Sequence, residues 1–484
     1  MSDIVILGAG VSGHTAALHL SRLLPPGHTV TVVSPNSDWN WIPSNIWVGV
    51  GKMPVKKVVF PLQPVYDKIG VRFKQARATA LFPEGDAEDP RGTVDIEYTL
   101  PGKEGEVERV RYDYLINATG PQLRFGMTEG LGPDGHSLSV CTAEHAVETA
   151  AKLREIISEL RAGQKKTLVV GMGHGTCTCE GAAFEYVFNV EHELREAGVR
   201  DNARVVFLTN EAALGDFGVG GMVFRQEGYE TTSKQWTESL FRERGVEPIL
   251  GAHVEKVEEG RVFFEQLDGS RHQLDFDFAM LLPPFGGQPI AAYDREGKEI
   301  TSELFAPSGF MKVDADYTPK PYEEWKASDW PRTCQSAAYD NIWAVGIAFA
   351  PPHQISQPRK SPNGTVITPS PPRTGQPSGE MGKAAALSIV DRIKHGDAAK
   401  PHEASMAKLA AACVASAGAG LRSGTAASMV MMPIVPDKEK YPTGRDLRYT
   451  RGEIGLGGHW TKLMLHYMFI HKAKARPGWQ FIPE

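Results

Sequence analysis

Residues 3–13 read DIVILGAGVSG, and HTAALHLSRLL follows with helical periodicity. A β-branched apolar run, a G-x-G-x-x-G turn and a helix in immediate succession point to a parallel α/β unit that holds a dinucleotide. Gly8 permits the tight turn. Gly10 lets the backbone approach a pyrophosphate at the helix N-terminus, and Gly13 allows the helix to pack closely on the strand. HTVTVVS (28–34) predicts the second buried strand. The acid that holds ribose hydroxyls in such folds belongs near its end, where this chain has Ser34, a weaker hydroxyl partner.

A strand over 109–120 (RVRYDYLINATG) ends in the turn Asn117–Ala118–Thr119–Gly120. A late strand, 340–346 (DNIWAVG), ends at Gly346. Together they favour FAD at the first turn, because two-dinucleotide flavoproteins close such turns on the flavin. Their late turn usually reads Gly-Asp. Here it reads Gly346–Ile347, so backbone groups must hold the ribityl chain. A long helix over 143–163 leads to a second strand–glycine–helix unit, with ARVVFLT (203–209) as its next strand. The predicted organisation is a first Rossmann-like FAD-binding part over 1–150 and a second Rossmann-like domain over 151–330. The chain then returns to the FAD domain over 331–400, with a Pro-rich loop at 351–378, and ends in a C-terminal region over 401–484. The expected class is α/β: two Rossmann-like dinucleotide-binding domains of the disulfide-reductase-like flavoprotein type, plus a C-terminal amphipathic membrane-binding region.

Composition narrows the function. Lys and Arg number 52 against 58 Asp and Glu, a net charge of −6, which argues against a wholly basic nucleic-acid surface. No run reaches 18 apolar residues, so no bilayer-spanning helix is expected. The N-terminus has no basic run before its apolar stretch, so no export signal is expected. Five cysteines, an odd number, do not make a secreted disulfide framework, and no CxxC or flanking His pair suggests a metal.

The second turn reads Gly171–Met172–Gly173–His174–Gly175–Thr176–Cys177–Thr178–Cys179. Thiols stand at the helix entry where small residues would cradle a pyrophosphate. A helix N-terminus is expected to lower a thiol pKa, which suits a nucleophilic sulfur. Cys177 and Cys179 should point different ways, and Glu180 beginning the regular helix favours Cys179.

With these residues in view, the chain resembles the sulfide:quinone oxidoreductases over nearly its whole length. The strings are WIPSNIWVGVG (41–51), VCTAEH (140–145), Cys179 followed by EGAAFE, LLPPFGG (281–287) and AACVASAG (411–418). The flavoprotein subunit of flavocytochrome c sulfide dehydrogenase is a sister group. The resemblance implies FAD, oxidation of hydrogen sulfide to polysulfide, and reduction of a membrane quinone. It implies that Cys179 and Cys413 form the redox pair, and that Cys141 is the third thiol, thioether-linked to flavin in some members. His145 would share a helix face with Cys141, and Glu185 would carry protons. Asp216 stands where many members have a histidine. Pro43 lies in the flavin-adjacent loop, Lys462 would bond the quinone carbonyl and Gly379 would floor its channel. Two tail helices would dip into a cytoplasmic membrane, from a side left open, in a homo-oligomer without nucleic acid or metal.

The tail carries its own signal. Residues 437–476 hold nine Lys or Arg against four Asp or Glu. Within 459–474, Trp460, Leu463, Met464, Tyr467, Phe469 and Ile470 make an apolar side flanked by Lys462, Lys472 and Lys474, as in interfacial helices. VMMPIV (430–435) adds an expected apolar patch. Three alternatives stay open: a type II NADH:quinone oxidoreductase with Glu211 as ribose acid, a flavocytochrome-type sulfide dehydrogenase, and a non-catalytic redox sensor.

Overall fold

The computed structural model describes residues 1–373, 375–418 and 420–484. β1 (Asp3–Leu7) is buried on both faces, as its run of Ile, Val and Leu requires, and pairs in parallel with β2 (Thr29–Ser34) and with Tyr114–Asn117. α1 (Val11–Leu23) returns the chain between the first two strands. The sheet runs Ile342–Ala344, Tyr114–Asn117, β1, β2, Arg72–Phe82, Thr93–Tyr98, Val107–Arg111. Leu7, Asn117 and Ala344 therefore end side by side, and the glycine turns that follow them converge on one crevice.

Two sequence expectations shift here. The strand expected over 109–120 is two strands, Val107–Arg111 and Tyr114–Asn117. The break falls at Tyr112–Asp113, where the Asp113 carboxylate accepts from Asp3 N at 2.7 Å and starts the parallel pairing with β1. The chain also rejoins the first sheet at Ala291–Ala292, paired with Ala80–Leu81, well before residue 331.

α2 (Ala143–Arg161) ends two residues short of the expected 163, because Gly163 turns with φ 87°. It leads to β3 (Lys166–Met172), the middle of a parallel sheet ordered Val246–Ile249, Ala203–Leu208, β3, Phe278–Leu282. α3 (Glu180–Glu196) follows the second glycine turn, and α4 (Gly375–His395) packs on α1. A Cβ on Gly382 would stand 2.1 Å from Ser12 O, so the two helices meet at backbone distance.

The tail is built differently from expectation. β4 (Ala411–Ala417), β5 (Thr425–Met431) and β6 (Arg451–Gly455) form an antiparallel set that continues into Val223–Gln226 and Tyr229–Thr232. Among the described residues of 401–484 there is one α-helix, α5 (Leu456–Ala473), which lies across these strands. VMMPIV does not form a surface patch, since Met431, Ile434 and Val435 are buried. α5 splits the expected apolar side in two. Leu463, Phe469 and Ile470 face the core, while Trp460, Met464 and Tyr467 are each at least half exposed. Lys462 and Lys472 are buried, so they do not flank a lipid-facing stripe. No helix is long and apolar enough to cross a membrane among the described residues.

Candidate functional site

The first crevice is shaped for a dinucleotide. Gly8 (φ 96°) has no room for a side chain, since a Cβ would lie 2.2 Å from Ala118 O. A Cβ on Gly13 would lie 2.0 Å from Gly8 O, which fixes the strand–helix approach. Gly10 and Gly120 face open space, and Gly10 caps α1 with no side-chain bond, so the first N–H groups of that helix are left for a pyrophosphate. Ser34 is buried at the end of β2. Gly346 (φ 65°) backs onto Ser12, and Thr119 Oγ1 donates to Asn117 Oδ1 at 2.8 Å. Pro43 lies by the start of α4, 3.9 Å from where a Cβ on Gly375 would be. These residues fit FAD.

Three thiols gather around the start of α3. Cys179 is the N-cap of α3 and sits in the left-handed region (φ 71°), a placement that costs a non-glycine residue about 1–2 kcal/mol. Cys413 lies on β4, which packs along α3. Its sulfur fills the space above Gly181, where a Cβ would stand 2.6 Å from Cys413 Sγ. The first turn of the helix that Cys179 opens is therefore in contact with the Cys413 sulfur. Cys141, Cys179 and Cys413 are close enough for charge on Cys179 to act on both of the others. Cys177 points away. It is fully buried, and its thiol reaches Leu282 O at 3.2 Å. Cys334 is likewise buried at φ 58°, away from this group.

The expected low thiol pKa is not observed. Burial first, and the neighbouring Glu180 carboxyl second, push Cys179 up to about 11. Burial pushes Cys413 up to about 12 and Cys141 up to about 11. Desolvation outweighs the helix dipole in this crevice. His145 is in the first turn of α2, whereas Cys141 precedes the helix, so the two do not share a helix face. The His145 ring packs edge-on to Phe125 at 6.0 Å, and its Nδ1 is buried without a partner among the described residues.

Glu185 and Lys462 form a buried ion pair between α3 and α5. Glu185 Oε1 also accepts from Ser416 N at 3.1 Å, and the Lys462 ammonium lies 5.3 Å from the Trp47 ring. Burial raises the Glu185 pKa, and Lys462 partly offsets it. Both charges act on Cys413, three residues before Ser416. Gly379 and Lys462 are not brought together. Gly379 faces Glu484, whose carboxylate bonds His19 at 2.8 Å and Lys472 at 2.5 Å. Lys472 is ten residues beyond Lys462, about 15 Å along the helix.

Three acids that the sequence singles out separately come together in the structure. Glu211 and Asp216 raise the pKa of Glu180, and Asp216 raises that of Glu211, while the Asn210 side chain bears on Glu180 in the opposite sense. Glu211 is pushed up to about 8 by burial and by Asp216. Its carboxylate accepts from Phe217 N at 2.8 Å and Thr209 Oγ1 at 3.0 Å, so it faces inward rather than toward a ribose. An acid with a raised folded pKa adds stability below its unfolded value of 4.5 and loses it as pH rises to about 8. Glu211→Gln should therefore remove a slope of up to about 1.4 kcal/mol per pH unit from the wild-type urea stability between those limits. Parallel pH profiles for the two proteins would contradict this.

Of the Pro-rich loop expected at 351–378, residues 375–378 belong instead to α4, and residues 368–371 lie along the second glycine turn. Thr368 N donates to Gly175 O, and Ser370 N donates to Cys177 O, both at 2.9 Å. Gly175 N is taken by His253 Nδ1 at 3.0 Å. The backbone groups that would greet a second dinucleotide are engaged.

Residues 2–289 match the model of the pyridine nucleotide-disulphide oxidoreductase family. This chain belongs to that family. In sequence it is also similar to a protein named sulfide-quinone reductase from Aquifex aeolicus (strain VF5). The two are 28% identical over 472 residues, covering 97% of this chain and 91% of that protein. The X-ray structure of the sulfide:quinone oxidoreductase from the same species matches with a TM-score of 0.74 at 27% identity, over 98% of this chain and 92% of that one. NDH2 from Plasmodium falciparum, solved in complex with NADH, matches with a TM-score of 0.60 at 14% identity, over 97% and 94% of the two chains. That likeness is one of fold. As a member of this family the chain is a flavin-dependent oxidoreductase.

Proposed function

We propose that this protein oxidises hydrogen sulfide and delivers the electrons to a membrane quinone. The observation that carries the reading is the contact between the Cys413 sulfur and the first turn of the helix that Cys179 opens, with Cys141 beside them. A hydrosulfide ion attacks a Cys179–Cys413 disulfide. One S–S bond breaks and another forms, leaving a persulfide on one cysteine and a thiolate on the other. No added oxidant is needed for that exchange. Bound FAD supplies a two-electron acceptor that a quinone can empty. Glu185, poised between Ser416 N–H and the Lys462 ammonium, takes the proton that hydrogen sulfide sheds. Rejoining that persulfide and thiolate as a trisulfide gives up two electrons and a proton, the electron pair that bound FAD would accept, so each round would add one sulfur atom to the bridge until polysulfide leaves.

Cys141 is the thiol we assign to covalent flavin attachment. The exposed face of α5, with Trp460, Met464 and Tyr467, is the surface we assign to the membrane. Leu421, whose carbonyl accepts from Trp460 Nε1 at 2.7 Å, extends this surface. Lys462 is committed to Glu185, so quinone binding is assigned to the Gly379 end of the crevice.

One experiment tests the set. Anaerobic sulfide should bleach the flavin, and quinone dissolved in anionic phospholipid vesicles should restore its colour. Acid precipitation of the same sample should leave the flavin with the polypeptide. Full bleaching by NADH with none by sulfide would overturn the reading in favour of a nicotinamide donor.

A further inference from the structure

Three buried histidines hold α5 to the rest of the molecule. His459 and His466 lie two turns apart on its inward face, and each aims Nδ1 at a fully buried serine hydroxyl. His459 meets Ser416 Oγ at 2.6 Å, and His466 meets Ser44 Oγ at 2.9 Å. Both rings stand edge-on to the Trp47 indole at 6.2 Å. His459 Nε2 donates to Gly420 O at 3.0 Å, so its Nδ1 is the acceptor for the Ser416 hydroxyl. At the far end of the helix, His14 of α1 donates from Nε2 to Ala473 O at 2.7 Å and accepts from the Tyr66 hydroxyl at 3.0 Å. All three histidines are at most 1% exposed. None has an acid to meet a proton: among the described residues, only His19 and His402 have a carboxylate within ion-pair distance. The charged groups that face the three are cations or are already paired. Lys57 and Lys462 bear on His466, and His192 of α3 and Lys462 bear on His459. His14 lies among Trp39, Phe60 and Tyr66. Glu185 is committed to Lys462, and Glu484 to Lys472 and His19.

A base that is neutral when docked and charged when released makes docking depend on pH. We propose that His14, His459 and His466 form a latch that keeps α5 on the body of the protein while they are neutral, and that their protonation frees the helix to enter an anionic bilayer. In its partner the inference rests on the membrane reading above. Burial holds His14 and His466 down to about 4 and lowers His459 as well. The stability each adds is therefore present above its ordinary value of 6.5 and is lost as pH falls toward 4. Release also parts Lys462 from Glu185, whose raised pKa lets it take up a proton in place of that partner. Once free, α5 can turn Leu463, Phe469 and Ile470 to the lipid beside Trp460, Met464 and Tyr467. The charged histidines join Lys462 and Lys472, which makes the helix both apolar and cationic, the pairing an anionic interface takes up. Such a surface, at about −30 mV, lowers the local pH by about half a unit and so favours release itself.

The test follows amide hydrogen exchange by mass spectrometry at pH 7.5 and pH 5, with rates corrected for the intrinsic effect of pH. It compares flavin-loaded wild type, His466→Gln and the double variant His459→Gln with His466→Gln. In wild type the protection of residues 456–473 should fall by about 10²-fold or more at pH 5, while β1 keeps its protection. Glutamine keeps a hydrogen-bonding side chain that does not titrate. His466→Gln should therefore remove about thirtyfold of that fall, and the double variant more. Phosphatidylglycerol vesicles should bind wild type at least about tenfold more tightly at pH 5 than at pH 7.5, and the double variant should lose most of that gain. Equal protection of α5 at the two pH values overturns the inference. So does an equal fall in wild type and the double variant, or a fall that β1 shares, which is acid unfolding of the whole chain. Should the variants fail to fold, the contrast between α5 and β1 in wild type decides the matter. Vesicles that bind wild type at neither pH would defeat the membrane reading instead, and the exchange profile would still decide the latch.

Discussion

Serine at position 179 or at position 413 is expected to slow sulfide-driven flavin reduction by at least about 10³-fold. Reoxidation by quinone of enzyme reduced with dithionite should be unchanged in both variants. The argument is chemical and geometric together. The first step exchanges one S–S bond for another, and an alkoxide cannot replace a thiolate as the departing group. Two of the remaining cysteines cannot substitute. Cys177 is buried against Leu282 O, and Cys334 lies elsewhere in the core. Cys141 is within electrostatic reach of Cys179, so residual slow turnover in a Cys413 variant would be traced through it. Stopped-flow absorbance of the flavin separates the two half-reactions. Wild-type rates of sulfide reduction in either serine variant would remove these roles.

Replacing Lys462 with Met should destabilise the fold by about 3–5 kcal/mol at pH 8, because it strands the Glu185 carboxylate in the interior. Only Ser416 N would then support that charge, at 3.1 Å. Burial already raises the Glu185 pKa, and losing Lys462 raises it further. The loss should therefore shrink at pH 5, where the stranded acid takes up a proton. Glu185→Gln combined with Lys462→Met should recover most of the difference, since a neutral amide needs no counter-ion. Urea midpoints of the four proteins at the two pH values measure this. A Lys462→Met midpoint equal to wild type at pH 8 would show that the pair carries no weight.

What could be read in advance follows from what is local. Gly8, Gly10 and Gly13 are demanded by contacts within one turn, so their spacing announces the nucleotide crevice. Cys179 is conspicuous because a thiol stands where a cradle of small side chains belongs. Two lysines of the tail were misread for the opposite reason. Lys462 and Lys472 looked like lipid-facing charges because their partners, Glu185 and Glu484, are invisible in a local window. AACVASA and TAASMVM alternate too weakly to announce paired strands, and β4 and β5 take their burial from α3 and α5 packed on them. The depressed thiol pKa failed because a helix dipole acts over one turn, while desolvation depends on the whole crevice.

The most direct measurement is peptide mapping of the oxidised protein under non-reducing conditions. The account predicts that the peptide carrying Cys179 is recovered joined to the peptide carrying Cys413 through two sulfur atoms, and through more after exposure to sulfide. Recovery of both cysteines as separate, freely alkylated thiols in the oxidised enzyme would contradict it.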